Sequence, residues 1–175
     1  SGCNGIVNPN PVVAAGPFLS SSFTQQNPVC ANINDGTITI TNPGGVAPYT
    51  FVLTGPGGPY TQANNPLFTN LAPGTYNYDF TDNVGCTGTG GPIVLTTNSP
   101  IGVNIVMTEP LCHGDANGKI VLTASGGVNP YQYALSPFTT YQGGTFTGLI
   151  TGTYTFRIKD NVGCTKDTTV TLGEP

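Results

Sequence analysis

The sequence predicts an all-β chain of tandem immunoglobulin-like β-sandwiches, each with one disulfide. Three observations carry this prediction. Apolar residues alternate with Thr and Asn at period two, the mark of half-buried strands. Gly (25) and Pro (16) break these runs at short intervals, as turns require. The whole pattern then occurs a second time.

Composition narrows the function classes. Of the 175 residues only 7% are charged, against about a quarter in ordinary domains. The net charge is −4. The four cations are Lys119, Arg157, Lys159 and Lys166, so residues 1–118 contain none. A nucleic-acid partner needs cations to displace counterions from phosphates, and this chain has too few for one to be expected. Anionic membrane surfaces are not expected as partners for the same reason. No apolar run approaches 18 residues, so membrane insertion is not expected. Ser1-Gly2-Cys3 shows no secretory leader, which fits a removed leader or an internal piece of a longer chain.

The repeat sets the organisation. The first copy reads Cys30, Asn34-Asp35-Gly36, Gly44-Gly45-Val46-Ala47-Pro48-Tyr49. The second reads Cys112, Ala116-Asn117-Gly118, Gly126-Gly127-Val128-Asn129-Pro130-Tyr131, with the same spacings. Leu71-Ala72-Pro73-Gly74-Thr75-Tyr76 matches Leu149-Ile150-Thr151-Gly152-Thr153-Tyr154. Asp82-Asn83-Val84-Gly85-Cys86 returns intact as Asp160-Asn161-Val162-Gly163-Cys164. Between Pro-Tyr and the following Phe the second copy is four residues shorter, which marks a variable loop.

Strands follow in order. Ile38 and Ile40, then Tyr49, Phe51 and Leu53, then Tyr76, Tyr78 and Phe80 alternate in the first copy. Ile120 and Leu122, then Tyr131, Tyr133 and Leu135, then Tyr154, Phe156 and Ile158 do so in the second. Val103, Ile105 and Met107 open the second copy, and Val170 and Leu172 close it. About seven short strands in roughly 80 residues fit an immunoglobulin-like sandwich. The expected boundaries are 1–11 for the last strand of a preceding repeat or a donor segment, 12–100 for the first repeat and 101–175 for the second.

Five cysteines in a secreted-looking β chain read as disulfides. The repeat pairs Cys30 with Cys86 and Cys112 with Cys164. Each bridge would tie the start of an early strand to the start of the last one. A loop of that length is worth roughly 4 kcal/mol in the chain-entropy model. Cys3 is left over for an inter-repeat or intermolecular bond. A zinc site would need paired Cys-x-x-Cys spacings that are absent.

Other residues have competing readings. Asp35, Asp115 and Asn117 offer oxygens to calcium, or serve tight turns. Calcium is the one cofactor considered. Asp82-Asn83 and Asp160-Asn161 are expected in the turn before the last strand. Tyr76 and Tyr154 read as tyrosine corners, or as core aromatics with an exposed tip. Tyr60, Phe138 and Tyr141 in the variable loop could contact a ligand by stacking on sugars, or pack the loop on its own domain. Asp167-Thr168-Thr169 resembles the Bacteroidota O-glycosylation acceptor, which would place a glycan on Thr168. Cys112-His113 could suggest a thiol and base, but neighbours on a strand point to opposite faces. With one His and no acid, base and nucleophile set, no catalytic residue is expected and the chain is not read as an enzyme.

The full pattern is Cys, Asp/Asn-Gly, Gly-Gly-x-x-Pro-Tyr, Leu-x-x-Gly-Thr-Tyr, Asp-Asn-x-Gly-Cys. It resembles the SprB-type repeat of gliding-motility adhesins and giant surface proteins of Bacteroidota. Residues 28–97 and 110–172 carry the resemblance. It departs at Asn32, where the second copy has Gly114, and in lacking a Trp in the Pro-Tyr strand. The resemblance implies display on the cell surface of a Gram-negative, Bacteroidota-like bacterium. The expected function is a structural segment of an extracellular adhesin or surface fibre, a spacer and contact surface for attachment and gliding. Its partners would be neighbouring copies of the repeat, and surface glycans. The alternatives are a filament subunit whose residues 1–27 pair with a neighbour, and a carbohydrate-binding module.

Overall fold

The computed structural model describes residues 18–173, which form thirteen strands and, among the described residues, no helix. The chain divides into two compact units between Thr97 and Asn98.

The first unit holds β1 (Ser22–Gln26), β2 (Gly36–Thr41), β3 (Thr50–Thr54), β4 (Tyr60–Ala63), β5 (Leu67–Leu71), β6 (Gly74–Thr81) and β7 (Thr87–Leu95). One sheet has the order β1-β2-β5 and the other β4-β3-β6-β7, all antiparallel. The chain changes sheet between β2 and β3, and again around β5, as in immunoglobulin-like sandwiches. Alternation explains the core: along β2, Gly36, Ile38 and Ile40 are buried and the threonines between them are not. Ile38, Ile40, Phe68 and Leu71 of one sheet pack on Phe51, Leu53, Tyr76, Tyr78, Phe80, Ile93 and Leu95 of the other.

Two features of this unit escape periodicity. Strand β1 is exposed at all five residues, so it has no apolar face to read. It pairs with β2 of its own unit, from Ser22 opposite Thr41 to Gln26 opposite Thr37. That corrects the expectation of residues 1–27 as a donor, since 22–26 are already partnered; residues 1–17, with Cys3 and the 1–11 segment, lie outside the described residues. Strand β7 carries glycines where apolar residues would be expected. Gly88 and Gly90 stand opposite Phe80 and Tyr78, and a Cβ on either would lie within 2.4 Å of a ring carbon. The aromatic rings of β6 occupy that space instead.

The second unit holds β8 (Gly102–Thr108), β9 (Gly118–Ser125), β10 (Gln132–Leu135), β11 (Thr145–Leu149), β12 (Gly152–Lys159) and β13 (Thr165–Leu172). Its sheets are β11-β9-β8 and β10-β12-β13. The core is Ile120, Leu122, Tyr133, Phe146, Leu149, Phe156, Ile158, Val170 and Leu172. The position of β4 is reduced to a single bridge, Tyr133 with Gln142. The shorter variable loop leaves too little chain for a strand there.

Candidate functional site

The residues common to the two copies gather at the two ends of each sandwich. At one end the halves of the motif lock together around a buried carboxylate. Asp82 is 6% exposed. Its Oδ2 accepts from the Val46 N–H at 3.0 Å, and its Oδ1 from Val84 at 3.0 Å and Cys86 at 2.8 Å. Asp160 repeats this with Val128 at 3.0 Å, Val162 at 3.1 Å and Cys164 at 2.8 Å. Burial favours the protonated form of Asp82, but the backbone N–H groups of Val46, Cys86, Val84 and Gly85 outweigh it. Its pKa therefore lies below the usual carboxylate value. The Gly-Gly pair exists for this contact. Gly45 and Gly127 have φ of +97° and +53°, and a Cβ there would stand 2.6 and 2.8 Å from the Asp oxygen. The Pro-Tyr ring closes over the same loop, with Tyr49 donating to the Gly45 carbonyl and Tyr131 to that of Gly126.

The opposite end is tied by a different set. Tyr76 and Tyr154 each donate to the carbonyl four residues back, on Ala72 and Ile150, at 2.8 Å. These are tyrosine corners, so that reading holds over a bare core aromatic. Burial and the neighbouring Tyr60 push the Tyr76 hydroxyl above the usual phenol range, so it stays a donor. The Asp/Asn before Gly closes a six-residue loop. Asp35 Oδ1 accepts from Val29 N–H at 3.0 Å, and Asn117 Oδ1 from Leu111 N–H at 3.1 Å. Gly36 and Gly118 then pass close to the Leu71 and Leu149 carbonyls and to the Leu95 and Leu172 side chains.

This geometry corrects the cysteine pairing. Cys30 and Cys112 lie at the tyrosine-corner end, beside the last residue of the closing strand. Cys86 and Cys164 lie at the carboxylate end, before its first residue. Strand β13 runs eight residues from Thr165 to Leu172, which at about 3.3 Å per residue puts Cys112 and Cys164 roughly 25 Å apart. Strand β7 separates Cys30 from Cys86 in the same way. A disulfide requires Cα atoms within about 7 Å. Cys30 and Cys86 therefore cannot bond to each other, nor Cys112 to Cys164. Cys30, Cys86 and Cys164 are disulfide-bonded all the same, whereas Cys112 is an exposed free thiol. The expectation of one bridge inside each sandwich, and of Cys112 as a bridged residue, is overturned by the antiparallel register.

The remaining predicted residues are spread over the surface. Tyr60 donates to the Pro56 carbonyl at 2.8 Å and packs on its own core. In the second unit the Arg157 guanidinium lies 4.3 Å from the Phe138 ring centroid, and Lys159 Nζ 5.7 Å from that of Tyr141. Phe138, Tyr141 and Tyr60 are thus engaged by their own units. In the second unit a shallow depression of about 290 Å³ is lined by Leu135, Ser136, Pro137, Thr139, Thr140, Gln142 and Phe146. Thr168 sits half-buried on β13 opposite Phe156. Asp167 beside it forms two hydrogen bonds to Arg157, both 2.8 Å. Asp115 accepts from Asn117 Nδ2 at 3.3 Å, next to the loop that Asn117 closes. Among the described residues no three His, Cys, Asp or Glu side chains are grouped to hold a metal.

Sequence reasoning placed Asp82 and Asp160 in turns and missed their role as buried anchors. The signal was there: an Asp at the same place in both copies, followed by Asn-Val-Gly-Cys.

Residues 22–58 and 104–140 match the SprB repeat family. Each match runs from the first strand of a unit into its variable loop. No curated protein matches the sequence. Among solved structures, the C-terminal 282-residue fragment of intimin, determined in complex with the intimin-binding domain of its translocated receptor, aligns with a TM-score of 0.44. The identity is 16%, over 89% of this chain and 64% of that one, so the chain spans less than two thirds of the fragment. The fibronectin(III)-like modules of Clostridium thermocellum CbhA align with a TM-score of 0.32 and 14% identity, over 87% of this chain and 95% of theirs. The segment that recurs in the two units is thus similar to the SprB repeat in each copy.

Proposed function

We propose that the chain is a structural segment of an extracellular adhesin or surface fibre, acting as spacer and contact surface in attachment and gliding. One observation carries the reading. The residues shared by the copies are the ones that close the two ends of each sandwich, through the buried Asp and the tyrosine corner, while the loop after the Pro-Tyr strand differs in length between the copies. That is the division expected of a repeat array, in which stability comes from units and their junctions. A polar surface of Thr and Asn, disulfide-bonded cysteines and the scarcity of Lys and Arg suit an exposed, oxidising, protease-rich setting. The host is read as a Gram-negative bacterium of the Bacteroidota kind, and the partners as neighbouring repeats and surface glycans. The depression beside Thr139 and Thr140 is the natural place for the variable loop to make contacts. No catalytic role is proposed.

Labelling of intact cells tests this reading. Antibody against residues 22–172 should decorate unpermeabilised cells, and its Fab should reduce surface attachment or gliding speed. Labelling that appears only after permeabilisation would overturn it.

A further inference from the structure

One side of the second sandwich is open where the same side of the first is closed. In the first unit β4 pairs with β3 and sets Tyr60 opposite Leu53, where it packs on the core. The second unit has the Tyr133–Gln142 bridge at that place, so its edge strands β10 and β11 lack this cover. The core registers the difference. Phe68 and Leu71 are 1% and 0% exposed, whereas their counterparts Phe146 and Leu149 are 7% and 9% exposed. The depression of about 290 Å³ lies there, between the end of β10 and β11, with Leu135, Pro137 and Phe146 as its apolar part. That volume is at the lower limit of ordinary ligand pockets, about 300 Å³.

We propose that this depression binds one ring of a neutral oligosaccharide. The inference rests on reading surface glycans as partners, and it gives them a site. A sugar ring has an apolar C–H face and a rim of hydroxyls. Leu135 and Phe146 offer an apolar surface, and Ser136, Thr139, Thr140 and Gln142 offer hydroxyl and amide groups around it. These polar residues are exposed. Among the described residues that line the depression none is charged, so an anion finds no counter-charge there. A peptide strand fits less well. Tyr133 exchanges both main-chain hydrogen bonds with Gln142, at 3.0 and 2.8 Å, and the Leu135 carbonyl accepts from the Phe138 N–H at 2.8 Å. Those are main-chain groups that an added strand would need. The rim is also held in place before any ligand arrives. The Phe138 ring lies 4.3 Å from the Arg157 guanidinium, which two bonds to Asp167 fix, and Tyr141 faces Lys159. Thr139 and Thr140 lie in the chain between these two anchored rings, so little ordering opposes binding.

Amide chemical-shift mapping on the whole isotope-labelled chain decides it. The probes are cellotriose, maltotriose, mannotriose and chitotriose, with trigalacturonate as the charged counterpart and a Thr-rich extended peptide as the rival occupant. At least one neutral trisaccharide should shift the amides of residues 136–142 saturably, with Kd on the order of 1 mM for a single ring in a shallow site. The amides of β4, which closes this side of the first unit, should stay still. Replacing both hydroxyls in Thr139→Val/Thr140→Val should weaken binding about 10–30-fold, the loss of two neutral hydrogen bonds, with the rest of the spectrum unchanged. Undiminished binding in that variant, or stronger shifts of the same amides by trigalacturonate or the peptide, would overturn the proposal. Trisaccharide shifts that map elsewhere on the chain would overturn this site and leave surface glycans standing as partners. No shift with any trisaccharide would overturn the site and the glycan partners together, while labelling of intact cells would still decide the adhesin reading.

Discussion

Replacing Asp160 by Ala removes the acceptor for three backbone N–H groups at one stroke. The Cys164 donor is buried, and a buried donor left unpaired costs about 2–3 kcal/mol. The donors on Val128 and Val162 are partly buried, and water can replace the carboxylate at a cost of about 0.5–1 kcal/mol each. The sum is about 3–5 kcal/mol. For a unit of this size each kcal/mol shifts Tm by about 4–8 °C, so the second unit should melt roughly 12–40 °C lower. The assay is differential scanning calorimetry of the whole chain, with amide exchange read separately on peptides from β12–β13 and β6–β7. Asp160→Asn keeps one acceptor oxygen without the charge and should lose about half as much. Protection should fall in the second unit first. A shift below about 5 °C for Asp160→Ala, or equal loss of protection in both units, would refute the buried-anchor argument.

Three other predictions are independent of that one. Tyr76→Phe deletes the bond to the Ala72 carbonyl and should cost about 1 kcal/mol, a fall of about 4–8 °C in the first unit by calorimetry; no change would mean that the corner is ornamental. Asp82 has a folded pKa below its unfolded value, so its contribution is complete above about pH 4–5 and fades as pH falls through the folded pKa. Denaturant titrations of Asp82→Asn should therefore show a flatter loss of stability below pH 4 than the parent; parallel curves would contradict the sign. Gly90→Ala drives a methyl into the Tyr78 ring, 2.3 Å away, and should destabilise by about 1–3 kcal/mol; a neutral result in urea unfolding would show that the ring can move aside.

The alternating runs were legible because one face of each is buried. Ile38 and Ile40, the alternate residues Tyr76, Tyr78 and Phe80, and Phe156 and Ile158 all fall on strands whose buried residues they are, with Tyr154 partly buried beside the last pair. The strands that were not legible lack that face. Strand β1 is wholly exposed, and β7 replaces apolar side chains with Gly88 and Gly90 beneath the rings of β6. The repeat revealed which cysteines are equivalent, but equivalence carries no direction. Gly36 at the start of β2 meets Leu95 at the end of β7, so cysteines before the two strands sit at opposite ends. Only pairing register contains that information. The Asp anchors were visible as a motif but not as a site, because their partners are backbone groups that any residue could supply.

The central claim is that these repeats belong to a long extracellular array. The most direct test is the mass of the native protein, taken from the cell surface and run with and without reductant. The account predicts a reduced chain of several hundred kilodaltons, on the order of dozens of repeats of this size. A reduced chain near 18 kDa would contradict it, and a ladder of such chains without reductant would point instead to a polymerising subunit.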